Sequence, residues 1–109
     1  MHELSITQGL VDAVLYRTGE RPVTAVNLRI GPLSGVLADA VRFCFDVAVA
    51  GTPLAGARLQ IEAPEGRGRC RSCQDEFKLN DPILLCPCGS ADVEVLSGRE
   101  LMLVSVEVA

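Results

Sequence analysis

Residues 70–90 read CRSCQDEFKLNDPILLCPCGS, two cysteine pairs separated by twelve residues. The first pair is Cys70-x2-Cys73 and the second is Cys86-x-Cys88. Zinc takes four thiolates tetrahedrally, which brings the sulfurs within about 4 Å of one another. Two short-spaced pairs, each on a tight turn, reach that geometry with little chain entropy to lose. The segment is too short and too polar to hold a core of its own, since Phe77, Leu79, Ile83, Leu84 and Leu85 are nearly all it has. A structural metal replaces the missing core. A C-x-x-C redox pair normally opens a helix in a thioredoxin-like setting, which this segment does not resemble. Arg67, Arg69 and Arg71 flank the first pair. They either offset the negative charge of a four-thiolate zinc or form a solvated basic linker.

Working outward, PEGRGR at residues 64–69 leads into the module and Ser97-Gly98 leads out. Beyond it the final ELMLVSVEVA alternates, with Met102, Val104, Val106 and Val108 expected on one face. A chain ending in a strong strand needs a sheet to join, so the cysteine module is read as inserted between two strands. On the near side, VTAVNLRI at 23–30 turns Val26, Leu28 and Ile30 one way and Asn27 and Arg29 the other. ARLQIEA at 57–63 does the same with Leu59 and Ile61. One helix precedes each of these strands. Ser5 and Gln8 have capping-box form before Ile6, Leu10, Val11, Val14 and Leu15, predicting a helix over 5–17 that ends near Gly19. A second spans 37–50, with Leu37, Val41, Cys44, Phe45 and Ala48 as its inner stripe. Cys44 is there a small buried hydrophobe. The expected fold is α/β (α+β): two helices on a small, mainly antiparallel three-stranded sheet, with a zinc-ribbon-like insertion. The expected domains are 1–65 plus 98–109, and 66–97.

Composition narrows the function. The 109 residues carry a formal net charge of −4, which speaks against a nucleic-acid partner because phosphate binding rests on a basic surface. No apolar run approaches the roughly 20 residues of a membrane span, and the N-terminus lacks the basic and apolar regions of a signal peptide. The chain reads as cytoplasmic, with no membrane partner. There clustered cysteines serve metal ligation rather than disulfides. Four thiolates leave zinc no open position, so a zinc hydrolase is a poor fit and the chain is not read as an enzyme. The competing class is a zinc-ribbon adaptor that binds protein or nucleic acid.

An N-terminal MHE, then IGPLSGV, FCFD, GT, a four-cysteine module ending in CGS and an alternating last strand resemble the HypA/HybF family. The resemblance covers nearly the whole chain. It implies a nickel-binding α/β domain, a separate zinc domain, and transfer of Ni(II) to the [NiFe]-hydrogenase large-subunit precursor together with the HypB GTPase. One departure stands out. The family's second pair is usually C-P-x-C-G, and here it is C-P-C-G, one residue shorter. Asp92, Cys44 or water are the substitutes if Cys86 or Cys88 does not ligate.

The chain opens MHEL, and His2 is its one histidine. Met1 is expected to be retained, because the initiator is removed mainly before small residues. An α-amine has a pKa near about 8 and can yield its proton to a metal near neutral pH. The Met1 amine and the metal-deprotonated His2 amide nitrogen close a five-membered ring, and the His2 imidazole closes a six-membered ring through Nδ1. Three nitrogens in a plane suit Ni(II) or Cu(II). Glu3 either adds a fourth donor, by backbone nitrogen or carboxylate, or holds the site by hydrogen bonding. Copper binds such a site more tightly, so nickel selectivity falls to metal supply and partners. With the family resemblance, nickel is the expected cargo.

Overall fold

The computed structural model describes residues 2–109. Helix α1 (Glu3–Thr18) leads to strand β1 (Val23–Ile30), helix α2 (Ala38–Ala48) and strand β2 (Arg58–Glu62). Strands β3 (Arg67–Cys70), β4 (Glu76–Lys78) and β5 (Val93–Ser97) follow, and β6 (Leu101–Val108) closes the chain. The first sheet has the order β2-β1-β6, so the last strand does return across the cysteine segment to pair with β1. Strand β1 runs parallel to β2 and antiparallel to β6. The parallel pair follows from α2, which carries the chain back so that β1 and β2 start from the same end. The second sheet, β4-β3-β5, is antiparallel throughout.

Both helices lie on one face of the first sheet. Val11 and Val14 of α1, Val41 and Phe45 of α2, and Val26, Leu28 and Ile30 of β1 form one buried cluster, with Leu59 and Ile61 packed against it. On β1 and β2 the opposite face is polar. There Asn27 donates to Ser105 at 2.9 Å and Arg29 pairs with Glu62 at 3.1 Å. The alternation in β1 and β2 is therefore the one expected from their side chains.

Three local expectations fail, each for a visible reason. Helix α1 starts at Glu3, so Ser5 is already inside it, and the N-cap is His2, whose side chain caps nothing. Leu37 is 69% exposed because it is the extended N-cap of α2 and off its helical wheel. On β6 the register against β1 slips between Asn27 and Leu28, which leaves Val104 as an extra residue. This bulge flips the strand's faces. Leu103, Val106 and Val108 then pack on the core, while Met102 and Val104 stay exposed.

Where the two sheets meet, the backbone approaches itself closely. Gly31 N–H donates to Glu100 O at 2.8 Å and Leu33 N–H to Gly98 O at 2.7 Å. Gly98 has φ 115°, and a Cβ on it would stand 2.8 Å from the Gly66 Cα. Only glycine fits there. This clasp delivers Leu33, from the loop after β1, onto the second apolar cluster of Cys70, Leu79, Cys86 and Val93.

Candidate metal centres

The four expected thiols converge. Cys70 ends β3, Cys73 lies in the turn after it, and Cys86 and Cys88 belong to the loop that precedes β5. All four Sγ atoms lie within 4.8 Å of one another, with Cys70–Cys88 at 3.8 Å and Cys73–Cys86 at 3.6 Å. A tetrahedron with metal–sulfur bonds of about 2.3 Å has edges of about 3.8 Å. The donor set therefore fits a four-thiolate ion, and no substitute ligand is called for. Asp92 is held by Arg71 at 2.9 Å, and Cys44 is half-buried on α2.

The two cysteine loops are built on one plan at different lengths. In the first, Cys73 N–H points at Cys70 Sγ (3.4 Å), Gln74 N–H donates to Cys70 O (2.9 Å) and Cys70 N–H to Asp75 O (2.9 Å). The chain leaves through Gln74, whose φ is 68°. In the second, Cys88 N–H points at Cys86 Sγ (3.4 Å), Gly89 N–H donates to Cys86 O (2.8 Å) and Cys86 N–H to Ser90 O (2.9 Å). The left-handed residue is now Gly89, at 99°. Every bond recurs one residue earlier, so the missing residue shortens the knuckle without abolishing it. The hydroxyls of Ser72 and Ser90 meet at 2.9 Å and tie the loops together.

These thiols cannot all ionise unaided. The Cys73 N–H, working against burial and helped by the Ser72 N–H and the neighbouring thiols, brings Cys70 down to about 6. The Cys88 N–H acts to lower Cys86, but burial and the three neighbouring sulfurs outweigh it and push that thiol up to about 12. A bound dication is what lets all four deprotonate together. The flanking arginines do not serve the sulfurs directly. Arg69 meets Glu76 at 2.7 Å, Arg71 meets Asp92, and Arg67 approaches Glu65 at 3.8 Å.

At the other end, Met1 lies outside the described residues. His2 is exposed at the head of α1, where its carbonyl accepts the Ile6 N–H at 3.0 Å. The first N–H groups of a helix have no partner in its own ladder, so the His2 and Glu3 amides are not engaged in it. Glu3 is buried, between an exposed His2 and an exposed Leu4. Its carboxylate accepts the N–H of Leu37, the N-cap of α2, at 3.4 Å, and its carbonyl accepts the Thr7 hydroxyl at 2.6 Å. Its own N–H, opposed by burial and joined by the Leu37 N–H, holds the carboxyl below the usual range. Sequence reasoning missed Leu37 as the partner of Glu3, and no local pattern signals a contact between two helix starts. A shallow apolar notch of about 370 Å³, lined by Ile30, Pro32, Val36, Leu37 and Pro64, opens beside this junction.

The chain is similar to known proteins along nearly its whole length. The family model described as "Hydrogenase/urease nickel incorporation, metallochaperone, hypA" matches residues 1–108. A protein of Geotalea uraniireducens named hydrogenase maturation factor HypA is 50% identical over 109 residues, covering 99% of each chain. A relative of the same name from Rippkaea orientalis is 44% identical, covering 99% of this chain and 96% of its own. The solution structure of the Ni metallochaperone HypA from Helicobacter pylori shares the fold at a TM-score of 0.64 and 24% identity, over 99% of this chain and 97% of that one. The chain belongs to the HypA family of hydrogenase/urease nickel-incorporation metallochaperones.

Proposed function

We propose that this protein carries Ni(II) at its N-terminus and delivers it to the [NiFe]-hydrogenase large-subunit precursor, in partnership with a HypB-type GTPase. The ligands are the Met1 amine, the His2 amide nitrogen and the His2 imidazole. The observation that carries this reading is the setting of His2: exposed, at a helix start whose first amides are outside the ladder, beside a buried carboxylate. A dication at a helix N-terminus works against the macrodipole. Glu3, ionised and fixed to the start of α2, supplies the opposing charge and sets where the metal-bearing end points. The protein catalyses no reaction; its cargo leaves unchanged. Hydrogenase is taken as the client because the relatives are named hydrogenase maturation factors.

Cys70, Cys73, Cys86 and Cys88 hold a structural Zn(II), whose chemistry is to fix four thiolates in place of a core. Residues 66–97 form that module, and residues 1–65 with 98–109 form the nickel-binding unit. No described helix is long and apolar enough to cross a membrane, in keeping with work in the cytoplasm. The adaptor reading is weaker for nucleic acid, because the arginines beside the cysteines each face an acid and leave no free basic stripe. Equilibrium dialysis of untagged protein against Ni(II) tests the proposal. Wild type binds one equivalent at high affinity and His2→Ala loses it, whereas full binding by His2→Ala would return His2 to an inert terminal residue.

A further inference from the structure

The first sheet has two outer strands, and they are guarded unequally. An edge strand presents unpaired N–H and C=O groups, which proteins blunt by keeping the strand short and charged. Strand β2 is blunted in this way. It has five residues, Arg58 and Glu62 at its ends are exposed, and Arg42 donates to its Leu59 carbonyl at 3.0 Å. Strand β6 is not. Of its eight residues only Glu107 is charged, and Asn27 Nδ2 donates to that carboxylate at 3.3 Å on the sheet's polar face. Leu101, Met102 and Val104 are exposed along the strand. Among the described residues β6 pairs with β1 alone, so its outer edge has no partner strand.

Helix α1 stands beside this edge without closing it. Between them runs a groove of about 410 Å³, walled by Ala13, Arg17 and Thr18 of α1 and by Leu103, Val104 and Val106 of β6. Arg17 is the one charged residue in its lining, is exposed, and forms no ion pair with a described residue. A row of strand amides and carbonyls is matched by the backbone of another strand. We propose that the free edge of β6 is a docking site for an extended peptide segment of a partner protein, which adds to the sheet as a fourth strand and sets an acidic side chain against Arg17. Successive side chains of such a segment point to opposite faces. One set enters the groove against Leu103 and Val106, which selects apolar and β-branched residues, and the other lies beside Met102. Neither metal site takes part, so docking stands apart from the nickel reading.

The test pans a random twelve-residue peptide library displayed on phage against metal-loaded full-length protein and, in parallel, against Arg17→Glu. Arg17 is exposed, so the variant keeps the fold, which an unchanged circular dichroism spectrum checks. Peptides enriched on wild type should carry Val, Ile or Thr at alternate positions with an Asp or Glu among them. On Arg17→Glu the acid should give way to Lys or Arg. The same acidic peptide should bind the variant about tenfold more weakly, since an attraction is lost and a repulsion gained. Titrated into isotope-labelled wild-type protein, it should shift the β6 amides and slow their exchange, leaving those of β2 and the second sheet unmoved. Absence of enrichment, an apolar spacing of three and four residues as in a docked helix, an acid preference that survives Arg17→Glu, or shifts confined to other elements would each overturn the inference.

Discussion

Replacing Gly31 with alanine should cost far more than a methyl group normally does. A Cβ at this buried position would overlap the Gly98 carbonyl, and backbone cannot swing aside as a side chain can. The chain at 98–100 would have to retreat, breaking the Gly31–Glu100 and Leu33–Gly98 hydrogen bonds. Each contributes about 1 kcal/mol, and forcing a group into a packed site adds about 1–3 kcal/mol. The expected loss is about 3–5 kcal/mol, a large part of the roughly 5–15 kcal/mol that holds a domain folded. Gly9→Ala is the matched control. Gly9 sits in the exposed middle of α1 with nothing within 4 Å of its added methyl, so alanine should stabilise by about 0.5–1 kcal/mol. Urea unfolding followed by circular dichroism gives both values, and amide exchange at 31–34 and 98–100 locates the damage. If Gly31→Ala unfolds within about 0.5 kcal/mol of wild type, a threshold below any one of the terms above, the clasp is not what joins the two sheets.

Chelation of the metal, or Cys73→Ser, should abolish amide protection in β3, β4 and β5 while β1, α1 and α2 keep theirs, because the two apolar clusters are separate; nuclear magnetic resonance of the metal-free protein checks this. Truncation after Leu96 should destabilise the first sheet, since β6 leaves with Leu103, Val106 and Val108; an unchanged thermal midpoint would contradict the observed pairing. Glu3→Gln should keep the backbone donors but lose the charge that opposes the helix dipole, so nickel affinity should fall by about three- to thirtyfold, with zinc content unchanged. One residue added before Met1 turns the amine into an amide nitrogen, and native nickel delivery, read as hydrogenase activity in cells, should be lost.

The sequence carried most of this fold, because strands β1 and β2 and helix α2 each bury one clean stripe. The failures fall where a local pattern is ambiguous. In LMLV at 101–104 both strand faces are apolar, so the bulge at Val104 is decided only by what β1 presents opposite. At the start of α1, Ser5 and Gln8 look like a cap, while Glu3, the first helical residue, bonds to Leu37, 34 positions away. The four cysteines were legible from spacing alone. Their knuckles were not, since hydrogen bonds to sulfur leave no trace in composition, and the clasp of Gly31, Gly66 and Gly98 shows in sequence only as scattered glycines.

X-ray absorption at both the nickel and zinc edges of one sample loaded with the two metals tests the account most directly. The account predicts a zinc edge with four sulfurs at about 2.3 Å and a nickel edge with nitrogen and oxygen neighbours in a planar arrangement and no sulfur. Nickel–sulfur scattering in that sample would place the cargo on the cysteines and contradict a nickel site built from Met1 and His2.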